Sequence, residues 1–119
     1  MGCSFDEFCQ WRDKLVAGGK PIIVEGKKDL AALRSIGVTN QIFLLNKKPL
    51  FAVVEDVVSV AKDVVILTDL DDEGKMLYSR LRHDLGRFGV RIDRKFREFL
   101  FKETRLRQIE GLRSYSANL

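Results

Sequence analysis

Residues 66–74 read ILTDLDDEG, an apolar segment that runs directly into two acids, Asp69 and Asp71. The apolar run over residues 64–68 has the length and β-branched content of a buried strand, and the residues from Glu73 onward repeat with a helical period. The two carboxylates therefore stand where a strand is predicted to end and a helix to begin. Acids in that position usually hold a metal ion.

A second apolar segment ends in the same way. Residues 21–29 read PIIVEGKKD, and the apolar run stops at Glu25, which Gly26 follows. In a parallel α/β sheet, right-handed crossovers bring the carboxyl ends of the strands to one edge, where ligands bind. If the two strands are neighbours, about 4.8 Å apart, Glu25, Asp69 and Asp71 converge within reach of one ion. Ligands that are all oxygen favour Mg²⁺ or Mn²⁺.

The chain offers little for other metals or for disulfides. His83 is its one histidine, so no Cys and His cluster suggests zinc. Cys3 and Cys9 lie six residues apart in a predicted helix, which places them on different faces and argues against a mutual disulfide. This cysteine usage is typical of a reducing, cytoplasmic location.

The length and composition limit the architecture. With 119 residues and 45% hydrophobic content, the chain can build one ordinary domain with a real core. Residues 1–20 have no signal-peptide core, and no apolar run approaches the ~20 residues of a membrane span. We therefore expect a soluble, cytoplasmic protein with no membrane partner.

The positive charge is concentrated in the second half. Residues 1–79 hold 10 Lys or Arg against 12 Asp or Glu, whereas residues 80–119 hold 11 against 5. Most of the basic residues in that second part are arginines, and guanidinium groups suit phosphate. A solvated helix face is the competing interpretation. Beside acids placed for a metal ion, we weigh the two interpretations equally.

Strand-like runs alternate with segments of helical period, which predicts βαβ units and a parallel sheet. Ser4 and Glu7 fit a capping box for a leading helix that Gly18 and Gly19 end. Helices are predicted at residues 1–19, 29–36, 49–61, 73–88 and 96–101, and strands at 21–25, 41–45, 64–68, 90–92 and 106–110. The expected fold is α/β, a compact Rossmann-like sheet of about four mainly parallel strands flanked by helices, with residues 20–119 as the domain behind the N-terminal helix.

An EF-hand calcium loop is one interpretation of the acidic segment. Asp69, Asp71, Glu73 and Gly74 fit its positions one, three, five and six. Position twelve would be Arg80 instead of a bidentate glutamate, which excludes this loop.

Two phosphate-handling folds also place acids after strands. A phosphate-accepting receiver domain needs an acidic pair after its first strand, and here Gly26 and Lys27 follow Glu25. A phosphatase of the haloacid dehalogenase type opens with its aspartate pair and needs further motifs downstream, whereas only 48 residues follow Asp71. Neither fold fits the spacing.

The segments EGKKD at residues 25–29 and DLDDEG at 69–74 together resemble the Toprim domain in order and spacing. Bacterial-type primases, type IA and type II topoisomerases, OLD-family nucleases, recombination-mediator proteins and the ribonuclease that matures 5S ribosomal RNA share this domain. The resemblance covers roughly residues 20–111 and implies a compact parallel α/β core. We expect a small free-standing Toprim protein, similar to the catalytic domains of the primases and of the 5S RNA ribonuclease.

The resemblance also implies roles for the acids. Glu25 matches the motif glutamate, the general acid or base in making or breaking phosphodiester bonds, and Asp69 and Asp71 match the metal-binding aspartates. All three are expected as catalytic residues and as ligands of Mg²⁺, for which Mn²⁺ can substitute. Gly26 is expected to allow a tight turn beside Glu25, and Gly74 to let the backbone approach a phosphate at the helix start.

Several further residues border this edge. Asp29 is expected to cap its helix, with a place behind the metal ligands as the alternative. Lys27, more than Lys28 or Lys75, is a predicted phosphate contact. Arg94 and Arg97 are predicted to grip the nucleic-acid backbone. After the second strand the chain has Asn46-Lys47-Lys48-Pro49 where many family members carry a glycine-rich turn, and Asn46 tolerates a left-handed backbone. Tyr78 and Tyr115 show no sign of acting as topoisomerase nucleophiles.

Two functions follow, from different classes. The first is an endonuclease-like, Mg²⁺-dependent hydrolase of structured RNA or DNA, including RNA processing. The second is a docking module that keeps its acids for metal-dependent binding to nucleic acid or protein without turnover. A purely structural role, with Asp69 and Asp71 capping a helix, is a third interpretation. The choice between RNA and DNA, the oligomeric state and a protein partner that supplies specificity stay open.

Overall fold

The fold is a parallel four-stranded sheet between two layers of helices. The computed structural model describes residues 2–117. The helices are α1 Phe5–Gly18, α2 Lys27–Ser35, α3 Leu50–Val60, α4 Asp72–Arg87, α5 Lys95–Glu103 and α6 Leu112–Ala117. The strands are β1 Ile22–Val24, β2 Ile42–Leu44, β3 Asp63–Ile66 and β4 Arg91–Ile92. The predicted α/β class with a leading helix is confirmed, and most element ends lie within two residues of their predicted positions.

The strand order is β2-β1-β3-β4, and every pairing is parallel. Ile22 of β1 pairs with Ile42 of β2 on one side and with Val65 of β3 on the other. The two central strands are therefore β1 and β3, the strands that precede the acids. Both are buried on both faces, which explains why they read as continuous apolar runs instead of alternating ones.

Each face of the sheet carries its own core. Ile22 and Val24 point into the first core, which also holds Trp11 of α1 and Leu33 of α2. Ile23 points to the opposite face, into the second core that α3 and α4 cover. The alternation follows from the period of two along a strand. It fixes β1 and β3 from both sides, and so fixes where their carboxyl ends lie.

The leading helix begins and ends as its sequence predicts. The backbone N–H of Ser4 donates to Glu7 Oε1 at 3.0 Å, and the N–H of Glu7 donates to Ser4 Oγ at 3.1 Å, which completes the capping box. Gly19 ends the helix in the left-handed conformation with φ 66°. No helix within residues 2–117 is long and apolar enough to cross a membrane.

The predicted last strand at residues 106–110 is wrong. This segment runs into a 3-10 helix at Ile109–Gly111 and then into α6. Its backbone pairs with the acid-bearing loop, residues 67–71 between β3 and α4, instead of with a strand, since the N–H of Leu70 donates to the carbonyl of Arg107 at 2.7 Å. The apolar residues Leu106, Ile109 and Leu112 recur every three residues, a helical signal that the short apolar run concealed.

Candidate metal and nucleic-acid site

The acids meet at the carboxyl edge of the two central strands. Glu25 follows β1, and Asp69 and Asp71 follow β3, whose Ile66 pairs with Ile23 of β1. Glu25, Asp29 and Asp69 line a cleft of about 580 Å³. Asp71 lies beside this cleft, in an adjoining groove. The structure thus brings the predicted acids to one edge, with Asp71 at its rim.

Backbone N–H groups hold the two central carboxylates. The N–H of Asp69 donates to Glu25 Oε2 at 2.7 Å, which joins the ends of β1 and β3 directly. The N–H of Ile109 donates to Asp69 Oδ1, also at 2.7 Å. Each of these bonds uses one oxygen of its carboxylate, and a carboxylate has a second oxygen with which it can bind a cation. The side chains are therefore positioned before any cation binds.

Asp71 is the N-cap of α4. Its Oδ1 accepts a hydrogen bond from the N–H of Gly74 at 2.7 Å, and its backbone is extended, as an N-cap requires. The structural role considered for the aspartates therefore exists at Asp71. Asp69 takes no part in that cap, because its bonded oxygen faces Ile109. A capping role and a ligand role are compatible at Asp71, because a carboxylate has a second oxygen.

Gly74 is needed for close packing between α4 and the acid-bearing loop. A Cβ at this position would lie 2.0 Å from the carbonyl oxygen of Asp69 and 2.6 Å from its carbonyl carbon. Thr68 Oγ1 also donates to the carbonyl of Gly74 at 2.7 Å. The predicted role was an approach to phosphate, but the group that approaches Gly74 is the peptide of Asp69. The glycine therefore sets the position of Asp69.

The turn after β1 differs from its prediction in detail. Gly26 has an extended backbone with φ −158°, which any residue adopts, so no tight turn requires glycine there. Its N–H donates to Asp29 Oδ2 at 3.1 Å, and Asp29 thereby caps α2, as favoured from the sequence. A Cβ at Gly26 would come within 2.9 Å of Asn46 Nδ2. No non-glycine residue within 2–117 has positive φ, so the left-handed backbone suggested for Asn46 is absent. Lys27 is exposed and lines the cleft.

Burial and mutual repulsion raise the pKa values of the carboxyl groups at this edge. Burial is the main cause that raises the pKa of Glu25, and the negative charges of Asp69, Asp71 and Asp29 raise it further. Burial, and then the charges of Asp71 and Glu110, also raise the pKa of Asp69. The backbone hydrogen bonds from Asp69 and Ile109 lower these two pKa values and offset part of the rise. Such mutually repelling carboxyls are a favourable place for a cation.

Arg97 holds the acid-bearing loop through two backbone carbonyls. Its Nε donates to the carbonyl of Thr68 at 3.1 Å, and its Nη2 donates to the carbonyl of Asp69 at 2.8 Å. The guanidinium lies 4.4 Å from the ring centroid of Tyr78, and burial lowers its pKa. Arg94 is exposed and pairs with Glu98 at 3.9 Å. The two arginines predicted to grip nucleic acid thus sit in different surroundings, and Arg97 holds the protein's own backbone.

The donor set fits a hard divalent cation. Within the described residues, no three His, Cys, Asp or Glu side chains form a ready cage for a metal ion. Mg²⁺ does not need one, because it keeps several waters and binds through one or two carboxylates plus substrate phosphates. Asp69 and Asp71, with Glu25 beside them, offer that many oxygens, so these residues fit the ion.

Sequence reasoning missed two contributors to the site, Ile109 and Glu110, and it named a third, Arg97, without its contacts to the protein's own loop. Ile109 supplies an N–H to Asp69, and Arg97 supplies donors to the loop carbonyls instead of to a substrate. Glu110 lines the cleft and adds negative charge near Asp69. A backbone donor leaves no mark in a sequence, so Ile109 could not have been found. The pairing of Arg97 with a loop 28 residues away also requires the fold.

The fold and the edge of acids define a parallel α/β domain with a carboxylate site at its central strand ends. The sequence profile of the Toprim domain matches residues 19–95, well over half of the chain. The chain belongs to the Toprim domain family. Membership indicates metal-dependent chemistry on nucleic acid as a general class, and Toprim domains generally bind Mg²⁺.

Relatives that match most of the chain extend this similarity. A UPF0292 protein from Methanocaldococcus jannaschii is 34% identical over 105 residues, which cover 86% of this chain and 82% of the relative. A UPF0292 protein from Pyrococcus abyssi is 39% identical over 100 residues, which cover 84% and 74%. A solved structure of a protein from Aquifex aeolicus has a TM-score of 0.79 and 28% identity, over 87% of this chain and 95% of that one.

Proposed function

We propose that this protein is a Mg²⁺-dependent, endonuclease-like hydrolase of structured RNA or DNA. One observation carries the proposal: Glu25 and Asp69, from neighbouring strand ends, are joined by a 2.7 Å hydrogen bond in an open cleft, with Asp71 at its rim. Family membership indicates the class of chemistry, and the carboxylates are the groups that can bind the cation and transfer the proton. We further propose that the protein works in the cytoplasm, with RNA processing among its roles.

Each acid has a role in this proposal. Asp69 and Asp71 hold the cation, with Mn²⁺ able to replace Mg²⁺, and Glu25 is a third candidate ligand. A bound divalent ion supplies neutralisation of the scissile phosphate and of the charge that develops on the leaving oxygen. Two carboxylates would suffice to hold the ion, because Mg²⁺ sites in proteins commonly use only one or two carboxylates.

Glu25 is the proton-transfer residue in this proposal. Its Oε2 is held by the N–H of Asp69, so Oε1 is the oxygen that takes a proton from water or returns one to the leaving group. The raised pKa of Glu25, caused first by burial, brings the group closer to the working pH of a general acid or base. A base that loses protons too readily would be a weak acceptor, so this rise favours catalysis.

The substrate is a polyanion that must pass an acidic edge. Lys27 borders the cleft on one side, and the second half of the chain carries most of the arginines. Arg94 is exposed and is the better placed of the two arginines predicted to meet the backbone of nucleic acid, because Arg97 is committed to the carbonyls of Thr68 and Asp69. These cations offset the repulsion between the acids and the phosphates.

One observation favours a second function, metal-dependent docking on nucleic acid or protein without turnover. Within residues 2–117 no three potential ligands stand close enough for a complete metal cage. A site that recruits its cation together with a bound phosphate would bind in a metal-dependent way whether or not cleavage follows. A protein partner that supplies the specificity suits this second function as well.

The test is cleavage of a substrate panel that contains structured ribosomal RNA precursors, single-stranded DNA and double-stranded DNA, in Mg²⁺ and in Mn²⁺. Asp69→Asn is the site variant. Asp56→Asn is the matched control, since Asp56 lies in α3 and pairs with Lys48 away from the cleft. We expect metal-dependent cutting by the wild type and by Asp56→Asn, and none by Asp69→Asn. Metal-dependent binding without cutting supports docking, and equal cutting by all three proteins overturns the assignment of the site.

A further inference from the structure

The segment of residues 104–111 lies directly against the loop that carries the acids. The N–H of Leu70 donates to the carbonyl of Arg107, and the N–H of Ile109 donates to Asp69 Oδ1, both at 2.7 Å. These two bonds attach the segment to the side chain of Asp69 and to the backbone N–H of the next residue, Leu70. The segment also lies beyond residues 19–95, the part that the Toprim profile matches.

A groove of about 480 Å³ runs between this segment and the loop that carries Asp71. Arg105 and Arg107 line it from the segment, and Leu70 and Asp71 line it from the acid-bearing loop. Asp71 therefore lies where the groove meets the sheet edge that carries Glu25 and Asp69. A chain of phosphates lying in the groove would be led past Asp71 toward Asp69.

The charges of Arg105 and Arg107 are available to a ligand. Both side chains are exposed, and neither pairs with a carboxylate in the described part of the chain. Arg107 spends one N–H on the neighbouring carbonyl of Leu106 at 3.0 Å. Arg80 and Arg94, by contrast, each face an acid one helical turn away. Uncompensated guanidinium groups bind phosphate more strongly than paired ones, because no local carboxylate has to be displaced.

The same segment also borders an alternative site for phosphate. A second groove there is lined by Lys28 and Arg113, but also by Glu110. The charge of Glu110 already raises the pKa of Asp69 and of Asp29, so its negative field reaches the acid edge. A phosphate chain there would meet this carboxylate, as a phosphate chain in the groove of Arg105 and Arg107 would meet Asp71. Both grooves are therefore lined by two cations and one carboxylate, and the groove of Arg105 and Arg107 is favoured because both of its cations are guanidinium groups, which match phosphate with two parallel donors.

We propose that Arg105 and Arg107 bind the phosphodiester backbone of the nucleic-acid substrate and lead it past Asp71 to the acid edge. The proposal rests on the proposed function and adds the part of the surface that holds the substrate. It also gives the segment after α5 a role that residues 19–95 do not supply. The chemistry recognised is a run of phosphates, so base identity is not read there.

Binding measured without divalent metal tests this role. The site variant is Arg105→Gln with Arg107→Gln. The matched control is Arg80→Gln with Arg87→Gln, which removes the same charge from α4, where both arginines line a separate groove with Phe51. The probes are a labelled RNA stem–loop and a labelled DNA duplex of mixed sequence, titrated at several salt concentrations, and thermal melts verify that each variant folds.

We expect the site variant to lose about tenfold or more in affinity at low salt, and its salt slope to flatten by about two, one for each lost phosphate contact. The control should stay within about twofold of the wild type. An equal loss in both variants would show that only net charge matters, and no loss in the site variant would place the phosphates elsewhere. Either result overturns the proposal. Binding of poly-glutamate as tightly as RNA would also overturn it, because the surface would then recognise anions in general.

The same samples separate this inference from the proposed function. If the wild type cuts and Asp69→Asn does not, while the Arg105 and Arg107 variant binds normally, the arginine role fails and the nuclease stands. If the wild type neither binds nor cuts any nucleic acid, the proposed function fails and the arginine role fails with it.

Discussion

The backbone N–H of Asp69 donates to the Glu25 side chain at 2.7 Å, so the ends of the two central strands are linked through the acids themselves. Ile109 then holds Asp69 from the other side, through a second bond of 2.7 Å. Gly74 packs against the Asp69 peptide, and Arg97 binds its carbonyl. Four separate elements therefore set the position of one aspartate. That degree of support is expected where a side chain must stay in place against the repulsion of its neighbours.

Asp69→Asn should raise stability while it removes activity. The raised pKa of Asp69 means that the folded protein holds this proton more tightly than the unfolded chain does. Asparagine keeps an oxygen for the N–H of Ile109 and removes one repelling charge. We expect a gain of at most about 1 kcal/mol near neutral pH, since solvent screens half-buried charges. Denaturant unfolding measures it, and a clear loss of stability would show that the carboxylate itself holds the fold.

The free energy of unfolding should fall as the pH rises through the folded-state pKa values of Glu25 and Asp69. Both groups have raised pKa values in the folded protein, so each protonated carboxyl stabilises the fold. This stabilisation is fully present below the pKa values of the unfolded chain, about 4.3 for Glu25 and about 3.9 for Asp69. It is lost as the pH rises through the higher pKa values of the folded protein. Mg²⁺ should therefore raise the melting temperature more at neutral pH than in acid. Melting curves with and without Mg²⁺ at several pH values measure this. An effect of Mg²⁺ that does not depend on pH would contradict it.

Two substitutions at Asp71 should separate capping from ligation. Asparagine caps a helix about as well as aspartate, whereas alanine does not. We expect Asp71→Ala to cost about 1 kcal/mol and Asp71→Asn only a few tenths, because only alanine loses the bond from Gly74. Both should lose most of the cleavage activity if Asp71 holds the metal. Activity that follows stability, with Asp71→Asn active and Asp71→Ala not, would leave Asp71 as a cap alone.

Gly74→Ala should disrupt the site, and Gly86→Ala should not. Both glycines lie in α4. A Cβ at Gly74 would lie only 2.0 Å from the carbonyl oxygen of Asp69, whereas a Cβ at Gly86 would have no neighbouring atom within 4 Å. In a helix position with free space, alanine is more stabilising than glycine by up to about 1 kcal/mol, so the Gly86→Ala variant should have a slightly higher melting temperature. Gly74→Ala should melt lower by several degrees and bind Mn²⁺ more weakly. Equal melting temperatures would refute the packing role of Gly74.

Arg97 and Arg94 should behave differently although they lie three residues apart. Arg97→Met keeps an apolar chain over Tyr78 but loses the bonds to Thr68 and Asp69, which should cost roughly 2 kcal/mol. Arg94→Met removes an exposed pair and should change stability by less than about 0.5 kcal/mol. Denaturant unfolding compares the two variants. Equal stabilities would show that the bonds of Arg97 do not support the loop.

The sequence predicted the parts of the fold that depend on local pattern. The apolar runs before Glu25 and Asp69, the Ser4 and Glu7 capping box and the glycine at the end of α1 all have short-range signals. Because crossovers are right-handed, the pattern also placed the acids on one edge. Those rules need no knowledge of distant contacts.

The remaining features depend on contacts between distant segments. Residues 106–110 read as a strand because a short apolar run fits either structure, and their pairing with Leu70 decides the outcome. Arg97 looked like a ligand for nucleic acid because its sequence does not show which carbonyls it meets. Gly74 was linked to a phosphate, and only the three-dimensional approach of Asp69 reveals its packing role.

Binding of Mn²⁺, followed by the loss of the free-ion electron paramagnetic resonance signal, tests the central claim that these carboxylates hold a divalent cation. The wild type, Asp69→Asn and the control Asp56→Asn are titrated at neutral pH. We predict that Asp69→Asn binds Mn²⁺ at least about tenfold more weakly than the other two proteins. Equal affinities in all three proteins would contradict the claim, because the cation would then lie away from Asp69.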